Sequence, residues 1–303
     1  MTKNDITRGL IDFAVSQCLK NIKEDPYRSI RRLADLGRQF AKGRFQEELF
    51  SLFQRLLLNE DGPYYEMLKQ LVSSVDTDSL KTLGINIGYN SWTCGASRLR
   101  QITAEKDYPH WLAEISLSPE SSASQLKEQL SAALKNGTYA FRLHMPAQSI
   151  TTDTRQLGLI REFPDCSFFL DFMDTDCTYS DDLLELTCSC DNLAFLVPFG
   201  SLQSRQLVDL LNARQRIYGV CRTYDNTNAA ERISDSQISE MLFWGSPLLF
   251  FLAAADTTQD NRLLVDNAIL DARLHQTYPA LLIHLDADVA RIQQLLLSSR
   301  KNL

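Results

Sequence analysis

Residues 111–145, WLAEISLSPESSASQLKEQLSAALKNGTYAFRLHM, decide the fold class of this chain. An apolar run at each end has the length of a buried strand, and the segment between them has a helical period. Five more runs follow about 25 to 33 residues apart: CSFFLDFMD, NLAFLVPFG, IYGVCRTYD, LLFFLAAAD and LLIHLDAD. Strands alternating with helices form a parallel sheet. The pattern predicts an α/β fold, a partial or full (β/α) TIM-like barrel, with any site at the carboxyl ends of its strands.

The region before the barrel has a helical pattern. Asp25 is a candidate N-cap, Pro26 takes the first helical position, and Gly43 ends the segment. RFQEELFSLFQRLLL and YYEMLKQLVSS predict two more helices, and DSLKTLGINIGYNSWTCGASRLRQ predicts a fourth, although a strand from residue 85 to 89 is the alternative. We therefore predict an N-terminal α-helical domain over residues 1–105 and a barrel domain over residues 106–303.

The composition of the chain excludes some functions. A net charge of −7 over 303 residues argues against nucleic-acid binding. No apolar run resembles a signal peptide or a membrane span, and seven cysteines, an odd number, suit reduced thiols. We expect a cytoplasmic protein that binds no membrane. One basic cluster stands out, which is either a solvated helix face or a docking patch for an acidic partner: Arg28, Arg31, Arg32, Arg38, Lys42 and Arg44.

Several stretches resemble the radical S-adenosylmethionine superfamily, and most closely a subgroup with an N-terminal helical extension. In the helical region they are RSIRRLADLGRQFAKGRFQEELF, NEDGPYYEMLKQLV and DTDSLKTLGINIGYN. In the barrel the resemblance runs from Trp111 to about Pro279, and is clearest in RQRIYGVCRTYDNTNAAERISDSQISEMLFWGSPLLFF. The resemblance implies a barrel that holds an iron–sulfur cluster and S-adenosylmethionine.

The residues that such a reaction requires are missing. In the superfamily, the loop after the first strand carries C-x-x-x-C-x-x-C for a four-iron, four-sulfur cluster; here SLSPESSASQ, which includes Ser118, has no cysteine. Met145 stands where the resemblance implies a glutamate for the cofactor's ammonium, and Pro198 and Phe199 stand where it implies polar ribose contacts. We therefore expect a degenerate member, a pseudoenzyme without cofactor or cluster.

Other candidate metal sites have weak patterns. Cys177, Cys188 and Cys190 match no familiar zinc or iron–sulfur spacing, and we expect small buried thiols. Cys94, Cys166 and Cys221 are also expected to fill core space. His284 with Asp286 and Asp288 could form a His/Asp metal site. A strand end with solvated acids is the favoured interpretation, so no metal site is predicted.

Charges inside the predicted strands are the best candidates for a functional site. Glu114, Arg142 and Asp171 interrupt the first three strands, His144 lies at a carboxyl end, and Arg222 comes late in the fifth. We expect Glu114 and Arg142 to face each other inside the barrel. A structural ion pair is favoured over a pocket for a small anion or zwitterion, because buried charges are normally paired.

These observations favour a non-enzymatic partner or scaffold protein, for example for an active relative. One alternative is a lyase or hydrolase that works without a cluster, centred on Glu114, Arg142, His144 and Asp171. A ligand sensor is another. A barrel filled by side chains favours the first function, and an enclosed charged pocket favours the other two. We also expect the helical region to pack on the barrel and cover one face or an open edge.

Overall fold

The computed structural model describes residues 3–20, 22–41, 43–102, 109–117, 122–145, 154–172, 185 and 187–298. Its centre is a curled sheet of seven parallel strands in chain order, which forms a half barrel. The predicted partial barrel is thereby confirmed at the level of architecture. The strands are β1 Leu112–Ser116, β2 Ala140–Met145, β3 Ser167–Phe172, β4 Leu193–Pro198, β5 Tyr218–Tyr224, β6 Leu248–Ala253 and β7 Leu281–His284.

Helices cover the outer face of the sheet. They are α7 Ala123–Lys135, α8 Thr154–Gly158 with a 3₁₀ turn Leu159–Glu162, α9 Leu202–Ala213, α10 Ala229–Arg232, α11 Asp235–Leu242 and α12 Gln259–His275. Alternate strand residues such as Phe141, Phe168 and Phe195 form one large core with this layer, and all three are fully buried. Because successive strand side chains point to opposite faces, the residues between them face the inside of the half barrel.

A final helix, α13 Leu285–Ser298, fills the inner face. Its residue Leu285 shares an apolar cluster with Phe250 of β6, and Leu296 shares another with Leu112 of β1. The indole nitrogen of Trp111 donates to the carbonyl of Val289 at 3.0 Å. The helix therefore extends from the end of β7 to the β1 edge. We predicted that LLIHLDAD forms a strand and its end. This prediction is wrong after His284, because the helix begins at Leu285.

The N-terminal region is helical, as predicted. Its helices are α1 Lys3–Leu19, α2 Pro26–Phe40, α3 Arg44–Leu56, α4 Pro63–Ser74, α5 Thr77–Ile85 and α6 Ala96–Ile102, and a π-helix over Asn86–Gly95 joins the last two. The Asp25 carboxylate caps α2 by accepting from the amide of Arg28 at 3.1 Å. The alternative strand over residues 85–89 is excluded.

This helical layer packs on the amino ends of the strands. Leu83 of α5 shares an apolar cluster with Ala194 of β4 and with Ile217, which precedes β5. Hydrogen bonds join the two parts through the segments that enter β3 to β6: Asn86 to Pro164 and Cys166, Ser79 to Asp191, Asp76 to Gln215, and Gln70 to Gly245. The expected packing is confirmed, although the surface covered is the amino end of the half barrel, opposite to the carboxyl ends.

The predicted domain boundary falls within residues 103–108, which lie outside the described residues. Among the helices that the structure describes, none is both long enough and apolar enough to cross a membrane.

Candidate functional site

Four charged or titratable side chains meet on the inner face near the carboxyl ends of β1, β2 and β3. The parallel register places Glu114 opposite Arg142 and places His144 opposite Asp171. Since Arg142 and His144 are two residues apart on β2, all four lie on one face. The predicted contact between Glu114 and Arg142 is confirmed.

Arg142 is held between two carboxylates. Its Nε and Nη2 atoms donate to Oδ2 of Asp171 at 3.0 and 2.6 Å, and its Nη1 donates to Oε1 of Glu114 at 2.9 Å. The side chains of Arg142 and Asp171 are only 7% and 6% exposed, whereas that of Glu114 is 51% exposed. A buried guanidinium requires such partners, because an unpaired charge is strongly disfavoured in the interior.

His144 lies between the same two carboxylates. Its Nδ1 is 3.3 Å from Oδ2 of Asp171, and its Nε2 is 3.5 Å from Oε2 of Glu114. Nδ1 makes no hydrogen bond of normal geometry in the described part of the chain, so its contact with Asp171 is an attraction between charges. Asp171 and then Glu114 raise the pKa of His144 to about 9. In return His144, with Arg142, lowers the pKa of Glu114 to about 2 despite its partial burial.

The cluster is therefore neutral as a whole near pH 7. Two cations, Arg142 and His144, balance two anions, Glu114 and Asp171, and each charge contacts one of opposite sign. Opposite charges at this distance in a partly buried site attract much more strongly than in water. Among themselves these four groups leave no excess charge for a ligand.

Cys221 of β5 also faces this region, which the sequence had not indicated. Register places it opposite Pro198 on one side and Phe250 on the other, on the same face as the cluster. Burial raises the pKa of the Cys221 thiol well above its usual value, and the charge of Asp171 adds to this effect. The thiol is thus protonated and unreactive, in agreement with the predicted core role.

Arg222 does not belong to the cluster. It follows Cys221 on β5, so its side chain lies on the outer face, opposite Phe251 of the outer core. There its guanidinium carbon lies 4.4 Å from the ring centre of Phe199, and Phe199 packs on Trp244 with ring centres 4.7 Å apart. Phe199 also faces outward, and Pro198 takes the inner position. Arg222, which we listed with the charges of the candidate site, therefore lies on the other face of the sheet, because neighbouring residues of a strand face opposite ways.

Three predicted positions lie wholly or partly outside the described residues. Ser118 and Cys177 lie outside the described residues, and although Met145 ends β2, its side chain lies outside them too. Cys188 and Cys190 are buried just before β4, at the amino end of the barrel, as expected of small buried thiols.

The two acids after β7 differ in exposure: the side chain of Asp286 is 46% exposed, as expected of a solvated acid, whereas that of Asp288 is only 14% exposed, contrary to our expectation. Asp288 lies in the first turn of α13 and accepts hydrogen bonds from Arg273 at 2.9 Å, from Arg291 at 2.7 Å and from the amide of His284 at 3.0 Å. His284 Nε2 lies 2.7 Å from the Tyr224 hydroxyl on the outer side of the sheet. Within the described residues, no three histidine, cysteine or acidic side chains are grouped to hold a metal.

Within the part of the chain that the structure describes, the residues at this end of the barrel do not fit an iron–sulfur cluster. Such a cluster requires several thiolates, and the chain has no cysteine between residues 111 and 165. Cys221 supplies one buried thiol on the inner face, and its raised pKa keeps it protonated.

Comparison of the chain with protein-family models and with curated proteins gives no match.

Proposed function

We propose that this protein is a non-enzymatic partner or scaffold protein, built on a half barrel that resembles the radical S-adenosylmethionine superfamily but lacks its reaction. The proposal depends mainly on the pKa values in the cluster. General acid–base catalysis works best with a group whose pKa is near the working pH. In this cluster the pKa of His144 rises to about 9 and that of Glu114 falls to about 2. Both pKa values therefore lie far from a working pH near 7.

The inner face supports the same proposal. Helix α13 occupies the inside of the half barrel. Its residues Leu285 and Val289 pack among the inward residues of β4 to β6. A filled interior is what we expect of a barrel retained for its shape. Fold alone would not assign a function, since the same barrel serves many.

The surface of α2 offers a docking patch for an acidic partner. Arg28, Arg31, Arg32 and Arg38 are all exposed on this helix. Arg31 pairs with Glu60 at 2.6 Å and Arg38 donates to Gln54 at 2.6 Å, whereas no ion pair of Arg28 or Arg32 is seen within the described residues. Basic side chains on an acidic protein favour a partner of opposite charge. Lys42 and the Arg44 side chain, the rest of the predicted cluster, lie outside the described residues.

Two measurements on the purified chain test the proposal. Anaerobic reconstitution with iron and sulfide should leave no stoichiometric cluster, and calorimetry with S-adenosylmethionine should show no low-micromolar binding. The physical reason is the missing set of thiolates and the missing carboxylate for the cofactor's ammonium. A four-iron absorbance with matching iron and sulfide content would contradict the proposal.

A second candidate is a sensor for a small zwitterion, and it is favoured by the exposure of Glu114. Half of this side chain is open to solvent, so its carboxylate could exchange a contact within the cluster for a ligand ammonium. Free amino acids are suitable probes in a thermal-shift assay. Stabilisation of the wild type that Glu114→Gln abolishes would support the sensor. If the amino acids do not stabilise the wild type, the scaffold proposal is the better one.

A further inference from the structure

The N-terminal helical layer encloses a half-open cavity of about 260 Å³ between α1, α2, α3, α5 and the π-helix. Its wall is apolar and includes Ile11, Val15, Leu36, Phe40, Leu80 and Ile85. Protein interiors rarely leave gaps larger than a water molecule. An apolar cavity of about 150 Å³ already stays dry and binds benzene or xenon. This cavity is large enough for a longer apolar group.

Two glycines lie on the wall of the cavity. Gly84 and Gly88 are one helical turn apart, and a Cβ atom added to either would meet no described atom within 4 Å other than those of its chain neighbours and its own helix backbone. Neither has the positive φ that would require glycine. Glycine destabilises a helix interior relative to alanine, and neither the backbone nor the packing of the described residues requires it at these two positions. The space that they leave on the wall is available to a group from outside the chain.

The wall beside these glycines is fixed by hydrogen bonds. The buried Gln46 side-chain amide donates to the Gly88 carbonyl at 2.8 Å and lies 2.7 Å from the Thr93 hydroxyl. These bonds satisfy polar groups of the π-helix, a structure that is frequent at functional sites. Gln46, the Gly88 carbonyl and Thr93 are thus bound to one another.

Lys81 supplies a charge at the rim, and it is the one charged residue among the lining residues that the structure describes. Its amine lies 3.7 Å from the carboxylates of both Asp12 and Asp78. Both acids are more than half exposed, so these ion pairs are weak and screened by water. The amine can therefore exchange them for a carboxylate delivered by a ligand.

We propose that this cavity binds a small amphiphile with a single hydrocarbon chain, such as a medium-chain fatty acid. The chain lies against Gly84 and Gly88, and the carboxylate binds Lys81. This site is separate from the charged cluster and does not depend on the function proposed for the barrel.

Calorimetry on the full chain tests the site with octanoate as the probe. Butyrate has the same head group but four fewer methylenes, so its affinity should be lower by on the order of a hundredfold. Octanol, which lacks the charge, should bind several-fold more weakly than octanoate. Absence of octanoate binding at millimolar concentration, or equal binding of butyrate, would overturn the proposal.

Substitutions on the wall locate the ligand. Gly84→Leu and Gly88→Leu place a side chain into the cavity and should reduce octanoate affinity at least about tenfold through lost apolar contact. Gly9→Leu is the matched control, because Gly9 is also helical and open within 4 Å but does not line the cavity. Octanoate binding that survives both wall substitutions would overturn the assignment.

Two milder variants guard against unfolding and test the head group. Gly84→Ala adds a single methyl group and favours the helix, so a folded protein with an intermediate loss of affinity is expected. Lys81→Met should weaken octanoate and leave octanol unchanged. If both probes bind Lys81→Met as they bind the wild type, the proposed orientation is wrong.

Discussion

The carboxyl end of the half barrel and the helical layer on its amino end differ in how complete their interiors are. At the carboxyl end, Arg142 and His144 have both carboxylates they need within the chain. In the helical layer, an apolar cavity remains beside Gly84 and Gly88, and no side chain among the described residues fills it. A complete polar cluster gains little from a ligand, whereas an open apolar cavity gains by burying one. The end of the barrel where chemistry is expected is therefore the less promising place for binding.

The largest effect is expected from removing one member of the cluster. Asp171→Asn leaves the buried Arg142 with a single carboxylate, and the free energy of unfolding should fall by about 3–5 kcal/mol. Urea denaturation measures this directly. Asp286→Asn is a matched control, because Asp286 forms a longer, more exposed pair with Arg262 at 3.4 Å; its loss should be below about 1 kcal/mol. Equal losses in the two variants would show that the cluster contributes no special stability.

A change of pH is expected to have a smaller effect on the free energy of unfolding. The pKa of His144 is raised in the folded state to about 9 from an ordinary value of 6.5. Its stabilising contribution is therefore complete below pH 6.5 and is lost as pH rises through about 9. Between pH 6.5 and 10 the wild type should lose about 2 kcal/mol more than His144→Gln does. His110→Gln, at an exposed histidine, should behave like the wild type, and a pH dependence unchanged in His144→Gln would contradict the assignment.

In the helical layer, a substitution is expected to increase the free energy of unfolding. Gly84→Ala should raise the free energy of unfolding of the ligand-free protein by about 0.5–1 kcal/mol, because alanine favours the helix and meets no clash. Gly37→Ala is the comparison within the same layer, since its Cβ would overlap the Phe50 ring and should destabilise the protein. Destabilisation by both substitutions would mean that the cavity is closed in solution.

The smallest effect is expected at the basic patch. Arg28 and Arg32 are exposed on α2, so Arg28→Gln with Arg32→Gln should change the free energy of unfolding by less than about 0.5 kcal/mol. Thermal denaturation gives the comparison with the wild type. A large loss would show that these arginines support the helical layer and are not kept for a partner.

Much of the fold could be predicted from local patterns. Each apolar run formed a strand because a buried parallel strand requires one, and Asp25 and Pro26 marked the start of α2. The contact of Glu114 with Arg142 was also predictable, since each lies in the middle of its run and adjacent strands align. Such features depend on residues close in sequence or on neighbouring strands.

The remaining features depend on packing over long distances. Arg222 was misplaced because its position along the strand was considered without the alternation of faces. Helix α13 was missed, although Leu285, Val289, Ile292 and Leu296 recur with a helical period. The cavity has no sequence signal of its own, because Gly84 and Gly88 acquire their meaning only when α1, α2 and α3 pack around them.

The imidazole titration of His144, followed by NMR on the wild type with His144→Gln used to assign its signal, tests most directly whether the cluster holds His144 as a cation. A pKa of about 9 is expected. A pKa near the ordinary value of 6.5 would contradict it, because His144 would then be free to exchange protons at neutral pH and the carboxyl end of the barrel would again be a candidate active site.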